Sequence, residues 1–285
     1  MKNLARRIRL ADSLTYLALI AWAAFVIFPL FWIVTMSFKQ EIDIFAYPPK
    51  FFDFAWTADN YLDIFGLLEG GAGATNFPRY FLNSIAIVGG ALALTVLFGT
   101  LSAYALARMQ FRGRDTVAFL LILVRMVPVL TVLLPLYVMY RDTGLYNTYL
   151  GLILVYLFVG MPFYTWLVRG HVSAVPKEIE EAAIVDGCGT FRMLFSVVVP
   201  VMMPGLVSAA LLAFIYMWNN FLFALILAGP DLLPVTTGLL NYLGYSSDYG
   251  NLAAACVITT APVVVIGIFI QRYIVAGLSG GAVKG

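Results

Sequence analysis

Six long apolar runs do most to limit how this chain can fold. They lie at residues 14–37, 80–107, 116–140, 149–168, 197–228 and 251–275. The hydrocarbon core of a bilayer is roughly 30 Å thick, and an α-helix crosses it with about 20 apolar residues. Lipid offers no hydrogen-bond partner to open backbone groups, so each run is predicted to be a helix rather than part of a β-barrel. The sequence therefore predicts an all-α integral membrane protein with six transmembrane helices.

The composition excludes several other classes of protein. Apolar residues make up 62% of the chain and charged residues 11%, with a mean hydropathy of +0.93, whereas soluble domains carry about 25% charged residues. The net charge of +2 is too small to indicate a nucleic-acid partner. The run at 14–37 is longer than a signal-peptide core of about 7–15 residues, so we expect no cleavable leader. Cys188 and Cys256 imply no disulfide framework.

The basic residues between the predicted helices predict the orientation. One side of the membrane would carry Lys2, Arg6, Arg7, Arg9, Arg108, Arg112, Arg114, Arg169, Lys177, Arg192, Arg272 and Lys284, and the other only Lys39, Lys50, Arg79 and Arg141. Cytoplasmic loops carry the excess of Lys and Arg. We therefore predict a cytoplasmic N-terminus at 1–13, one transmembrane domain at 14–285 with a cytoplasmic C-terminus, and an extracytoplasmic loop at 39–79.

The loop at 39–79 is rich in aromatic and acidic residues, and we expect a short helix near residues 58–67. Its glycine run, Gly70 to Gly73, lacks a third glycine at dinucleotide-binding spacing and is predicted to be a flexible loop. No Walker-type phosphate loop occurs in the sequence, and the lone His171 and Cys188 suggest no metal site. If this protein uses ATP, another chain must bind it.

The second half of the chain contains one sizeable polar segment, Pro176–Gly205, with a predicted helix at 176–187. Pro176 and the acids after it suit a first helical turn, Gly187 suits the end of the helix, and Thr190 suits the start of the next. One face of the helix carries Ile179, Ala182, Ala183 and Asp186. A helix lying on a membrane would have a larger apolar face and cationic flanks. We therefore favour docking of another protein over membrane binding.

Two places within the spans could line a solute path. Arg125 lies near the middle of the third run, and an ionisable residue inside a membrane is costly and often functional. It either lines a cavity or pairs within the bundle. Trp218, Asn219 and Asn220 combine an aromatic face with amide donors and acceptors, which suits sugars, but asparagines also form hydrogen bonds between helices. Both interpretations stay open for each place.

The polar segment resembles a known motif. Glu181-Ala182-Ala183, Asp186-Gly187, Phe191 and Pro200 are similar to the EAA loop of binding-protein-dependent ABC importer permeases. Agreement elsewhere points to the maltose-type carbohydrate branch and its shorter, MalG-like permease: Asn83-Ser84, Ala103 to Arg108, Phe111 to Arg114, Arg125 to Pro128, Leu134 to Tyr137, Gly144-Leu145, Asn147-Thr148, Trp218-Asn219, Gln271 to Gly277 and Gly281 to Gly285. The resemblance runs from the first helix to the C-terminus and is weakest at 39–79.

The resemblance implies a type I importer with a MetI-like permease fold in the bacterial inner membrane. This chain would pair with a second, homologous permease, two ATPase subunits that hold ATP and Mg, and an extracytoplasmic solute-binding protein, and would bind no cofactor itself. The helix at 176–187 would be the cytoplasmic coupling helix. Its ATPase-contacting residues would be Glu181, Ala182, Ala183, Asp186, Gly187, Phe191 and Pro200.

In relatives of this kind, the outward loop between the last two helices reaches into the open binding protein. Here that loop holds Asn241, Tyr242, Tyr245, Ser246 and Asp248. The alternatives are an amino-acid or peptide permease of the same family and, from another class, a stand-alone secondary carrier. A membrane-embedded enzyme is disfavoured, because the spans contain no acid pair, serine–histidine set or metal cluster. The solute stays open among sugars, polyols, sugar acids, sulfonates and glycerol phosphates.

Overall fold

The computed structural model describes the backbone of residues 2–68, 76–243 and 248–281, and the side chains within 13–68, 76–243 and 248–271. All regular secondary structure in these ranges is helical, which confirms the all-α prediction. The α-helices are α1 (Lys2–Met36), α2 (Glu41–Ile44), α3 (Asp59–Ile64), α4 (Phe77–Arg108), α5 (Arg114–Leu123), α6 (Val129–Asp142), α7 (Tyr149–Ala174), α8 (Lys177–Val185), α9 (Thr190–Met193), α10 (Val199–Trp218), α11 (Leu222–Leu227), α12 (Val235–Gly238) and α13 (Tyr249–Gly281).

Five helical stretches in the described ranges are long and apolar enough to cross a membrane. They are Ser13–Met36, Phe77–Arg108, Tyr149–Ala174, Thr190–Trp218 and Tyr249–Gln271. A sixth span results if Arg114–Met126 and Val129–Asp142 are counted together, although they meet at an angle of 98°. The prediction of six spans is confirmed when this bent pair is counted as one span.

The span expected at 116–140 is not one continuous helix, because the chain bends at Pro128. A short 3₁₀ turn, Val124–Met126, follows α5, and Val127 is extended with φ −70° and ψ 125°. Proline disfavours a helical conformation at the residue before it and cannot donate an N–H to the preceding turn. The broken backbone then begins α6 in a new direction.

The span expected at 197–228 differs at both ends. It begins earlier, because α9 continues through a π-helical turn, Leu194–Val198, into α10. It ends at Trp218, and Asn219, Asn220 and Phe221 separate α10 from the short α11. Asparagine competes with helix hydrogen bonding through its own side chain, and Asn219 Nδ2 does so by donating to the Ile215 carbonyl at 2.8 Å.

The chain divides into two compact units. One comprises residues 1–76 and 239–258, and the other residues 77–238 and 259–285. In the second unit α4 and α7 pack along each other and α10 packs on both. Glycines allow these close approaches: Gly99 of α4 faces the Tyr164 ring, and Gly160 of α7 faces the Met217 side chain. Contacts through small residues are typical of helices in lipid.

In the first unit the chain after α1 folds around Lys39. The Lys39 side chain is buried, its Nζ donates to the Lys50 carbonyl at 2.5 Å, and it lies 4.4 Å from the centroid of the Trp32 ring. Burial lowers the pKa of Lys39, and the neighbouring Asp43 carboxylate opposes that shift. Lys50 pairs with Asp43 at 2.6 Å. The expected short helix corresponds to α3, and the glycine run at 70–73 lies outside the described residues.

Candidate functional site

The helix of the polar segment is α8. Pro176 is its N-cap residue, Asp186 its C-cap residue, and Gly187 follows with φ +81°, a left-handed conformation that favours glycine. The Gly187 N–H donates to the Ile184 carbonyl at 2.9 Å and the Cys188 N–H to the Ala183 carbonyl at 3.0 Å. This pair of bonds is the Schellman motif that ends helices.

Thr190 is not the cap of the following helix, contrary to the sequence prediction. Gly189 occupies the N-cap position of α9 with an extended backbone, and Thr190 is the first helical residue. The turn between α8 and α9 is therefore built from two glycines, Gly187 and Gly189, on either side of Cys188.

Glu180 fastens α8 to the end of α4. The residue is 7% exposed, and its two carboxylate oxygens accept hydrogen bonds from the Tyr104 hydroxyl at 2.9 Å and from Arg108 Nε at 2.6 Å. The same guanidinium donates through Nη2 to the Val175 carbonyl, one residue before Pro176. A buried charge needs such pairing, because an unpaired carboxylate in this position would be strongly unfavourable.

Sequence reasoning missed Glu180. The signal was its position one residue before the Glu181-Ala182-Ala183 motif, together with Arg108 as the last residue of α4. A cation at the end of a membrane helix and an acid in the first turn of the next polar helix could have been paired in advance.

The free face of α8 differs from the predicted one. Ala183 is buried and Ile179 half-buried against the core formed by α4, α7 and α10. Ala183 therefore supports α8 from inside the chain and does not offer a contact surface. The exposed residues of the segment include Glu181, Ala182, Ile184, Val185, Asp186, Gly187, Phe191 and Pro200.

Two large apolar side chains stand out on this exposed face. Val185 is 88% exposed and Phe191 is 72% exposed. Asp186, which follows Val185 in the chain, and Glu181, one helical turn before Val185, are also exposed. An apolar patch rimmed by charged groups is typical of a protein-binding surface.

A cavity of about 480 Å³ lies where the two broken helices come together. Arg125 and Val127 reach it from the break between α5 and α6, and Asn219 and Asn220 from the break between α10 and α11. Tyr216 is among its aromatic lining residues. Its volume falls in the range of roughly 300–1,000 Å³ that small-molecule sites occupy, and non-helical backbone within a membrane is tolerated where it lines a cavity.

The structure places Arg125 and the asparagines together and leaves Trp218 out. The Arg125 guanidinium carbon lies 4.6 Å from the centroid of Phe163 and 4.8 Å from that of Tyr216. The Asn220 carbonyl accepts from the Tyr156 hydroxyl at 2.9 Å. The Oδ1 atom of Asn220 is buried and has no hydrogen-bond partner in the described part of the chain.

Trp218, which the sequence offered as a candidate for the solute path, is a packing residue in the structure. Its side chain is 4% exposed, its ring stacks on Phe214 with centroids 5.3 Å apart, and its Nε1 donates to the Thr259 carbonyl at 3.1 Å. The indole is therefore held inside the helix packing and does not line the cavity.

The outward-loop residues have different environments. Asn241 is exposed, Tyr242 is buried, and Tyr245 and Ser246 lie outside the described residues. The Asp248 carboxylate accepts from the Asn251 backbone N–H at 3.0 Å, which makes Asp248 a cap of α13. Two of the predicted contact residues, Tyr242 and Asp248, are thus engaged within the chain.

Comparisons with known proteins agree with this architecture. A sequence model of the family described as "Binding-protein-dependent transport system inner membrane component" matches residues 95–280. The diacetylchitobiose uptake system permease protein NgcG of Streptomyces coelicolor is 33% identical over 95% of this chain and 89% of its own length. The trehalose/maltose transport system permease protein MalG of Thermococcus litoralis is 31% identical over 93% of this chain and 94% of its own length.

A third relative and one solved structure extend the comparison. The sulfoquinovosyl glycerol transport system permease protein SmoH of Agrobacterium fabrum is 33% identical over 91% of this chain and 89% of its own length. A chain in the crystal structure of a bacterial ABC transporter involved in the import of the acidic polysaccharide alginate superposes with a TM-score of 0.78. It is 20% identical and is matched over 93% of this chain and 96% of its own. The predicted permease fold is confirmed.

Proposed function

Because this chain belongs to the family of binding-protein-dependent transport system inner membrane components, we propose that it is the permease subunit of an ATP-driven importer of a sugar or sugar derivative. Three of its relatives are named as permeases for saccharides or a saccharide glycoside. The structural observation that carries the proposal is α8, which presents an exposed patch while Glu180 and Arg108 fasten it to α4.

The partners follow from what this chain needs. A second, homologous permease completes the transmembrane pathway, and two ATPase subunits bind ATP and Mg, for which this sequence has no phosphate loop. A solute-binding protein delivers the solute from outside. The proposed location is the inner membrane, with both termini and α8 on the cytoplasmic side, as the distribution of Lys and Arg indicates.

In the proposed mechanism an ATPase subunit binds α8 and the start of α9 through Val185, Phe191 and the carboxylates of Glu181 and Asp186. ATP-driven closure of the ATPase dimer displaces α8. The displacement reaches α4 through the Glu180–Arg108 pair, α7 through the chain at Val175, and α10 through α9. These three helices form the packed body of the unit that contains the cavity, so the body moves as one and alternates access to the cavity.

The cavity between the broken helices is the proposed solute site. The Asn219 and Asn220 side chains supply amide groups, and Tyr216 supplies an aromatic face, against which the apolar face of a sugar ring can pack. Discontinuous helices that meet at a cavity are a common arrangement for solute sites in transporters.

Reconstitution tests the proposal. The complex of this chain with its partner permease and ATPase subunits, in proteoliposomes supplied with the cognate binding protein, should accumulate a labelled saccharide only when ATP is present. A complex whose ATPase subunits carry an inactivating substitution is the control. Equal accumulation with that control, or uptake driven by an ion gradient alone, would show a secondary carrier instead.

A further inference from the structure

The cavity contains one charged side chain, Arg125, among its described lining residues. Its guanidinium lies over two aromatic rings, Phe163 of α7 and Tyr216 of α10. Within the described part of the chain it makes no ion pair with a carboxylate and no hydrogen bond. None of the described lining residues is acidic, and α7 and α10, which wall the cavity, contain no Asp or Glu.

This arrangement orients the cation without neutralising it. Aromatic rings attract a guanidinium through their electron-rich faces, and this attraction fixes the orientation of the planar group. The N–H groups lie at the edge of that plane and form a fork that matches the two oxygens of a carboxylate or sulfonate. Arg125 is exposed to the cavity, so the fork is accessible to a bound molecule.

The asparagines provide groups of the opposite character. Asn219 Nδ2 is used by the Ile215 carbonyl at 2.8 Å. The buried Asn220 Oδ1 has no hydrogen-bond partner in the described ranges. That buried atom is not accessible to a solute, whereas the Asn219 side chain is exposed and lines the cavity, where its Oδ1 can accept from a sugar hydroxyl. The cavity therefore offers a cationic fork on one wall and a hydrogen-bond acceptor on another.

An intramembrane arginine with no counter-ion among the described residues of its chain is costly, and such residues mark solute and ion pathways. A solute that brings an anion removes this cost when it binds, whereas a neutral solute leaves the cation unbalanced. Resting on the proposed function, we infer that the solute is an anionic saccharide, with a carboxylate or sulfonate that pairs with Arg125 and hydroxyls that reach Asn219. This assigns the substrate class that the sequence leaves open.

The decisive experiment compares matched saccharides that differ in one group. Uptake by the reconstituted complex is measured for glucuronate and sulfoquinovose against glucose, and for digalacturonate against its uncharged disaccharide. The affinity of the cognate binding protein for each compound is measured separately. The selectivity of the binding protein can then be separated from the selectivity of the permease complex. We expect the acidic member to be carried at least about tenfold faster than its neutral match, the effect of one charge-assisted hydrogen bond.

Variants of Arg125 show whether this side chain is responsible. Arg125→Gln should lower uptake of the acidic saccharide by about tenfold or more, and Arg125→Lys should retain part of it. Arg141→Gln is a matched control, since Arg141 also lies over an aromatic ring, 5.9 Å from the centroid of Tyr137, but does not line the cavity. Arg141→Gln should leave both uptake and ATP hydrolysis stimulated by the binding protein unchanged.

Three results would overturn the inference. They are transport of the neutral member as fast as the acidic one, unchanged acidic uptake by Arg125→Gln, and loss of the partner permease when Arg125→Gln is purified. The last result would mean that Arg125 pairs with a carboxylate of the partner. Failure of the proposed function looks different, because then no saccharide of either kind accumulates with ATP, and the inference fails with it.

Discussion

At the scale of single residues, the buried pair of Glu180 and Arg108 determines how α8 is held. Both side chains are about one-tenth exposed. One hydrogen bond joins them, Glu180 accepts a second from the Tyr104 hydroxyl, and Arg108 donates a third to the Val175 carbonyl. Removing one member of such a pair leaves an uncompensated charge, whereas replacing both with apolar residues is often nearly neutral.

Glu180→Gln should therefore destabilise the protein by about 3–5 kcal/mol, seen as a lower unfolding temperature of the purified complex. The double variant Glu180→Leu with Arg108→Met should recover most of that loss. Glu178→Gln is the matched control, because Glu178 lies in the same helical turn and is exposed. A Glu180→Gln complex as stable as wild type would mean that the pair does not hold α8.

Gly187 is the second residue with a specific requirement. Its left-handed backbone, φ +81°, excludes β-branched side chains, although no atom lies within 4 Å of the place where a Cβ would stand. Gly187→Val should insert into the membrane and lose ATP-dependent uptake, while Gly187→Asn should retain most of it, since asparagine tolerates this conformation. If both variants transport equally well, the turn after α8 does not need this backbone conformation.

At the scale of helices, the sequence predicted only some of the residues on the exposed face of α8. The sequence pattern placed Ala182 and Ala183 on one surface, but α8 packs so that Ala183 is buried and Ala182 exposed. The orientation of a short helix depends on the core beneath it, and that core includes α4, which is distant in sequence. Long apolar runs are different, since the bilayer alone requires them to be helical.

The exposed patch on α8 leads to a prediction about assembly. Val185→Asp or Phe191→Asp should reduce the amount of ATPase subunit that co-purifies with this chain, because each puts a charge into an apolar contact. Leu243→Asp is the matched control, an exposed apolar residue on the predicted outer side. Unchanged recovery of the ATPase subunits with both variants would show that Val185 and Phe191 do not contact the ATPase.

At the scale of the whole molecule, the number of spans and the family could be recognised from the sequence, but the cavity could not. Pro128 is one of several prolines in the spans, and membrane helices often tolerate proline as a kink, so nothing local marked it as a 98° break. Likewise, Trp218 and Asn219 are adjacent in sequence, yet packing buries the indole and leaves the amide at the cavity.

The central claim also concerns the whole molecule: this chain transmits a signal between the two sides of a membrane. It is tested most directly by the rate of ATP hydrolysis in proteoliposomes that contain the whole complex, before and after solute-loaded binding protein is added to the outside. Hydrolysis should rise several-fold with wild-type chain and should not rise with Gly187→Val. An unchanged rate for the wild-type complex, with an active ATPase and a loaded binding protein, would contradict the account.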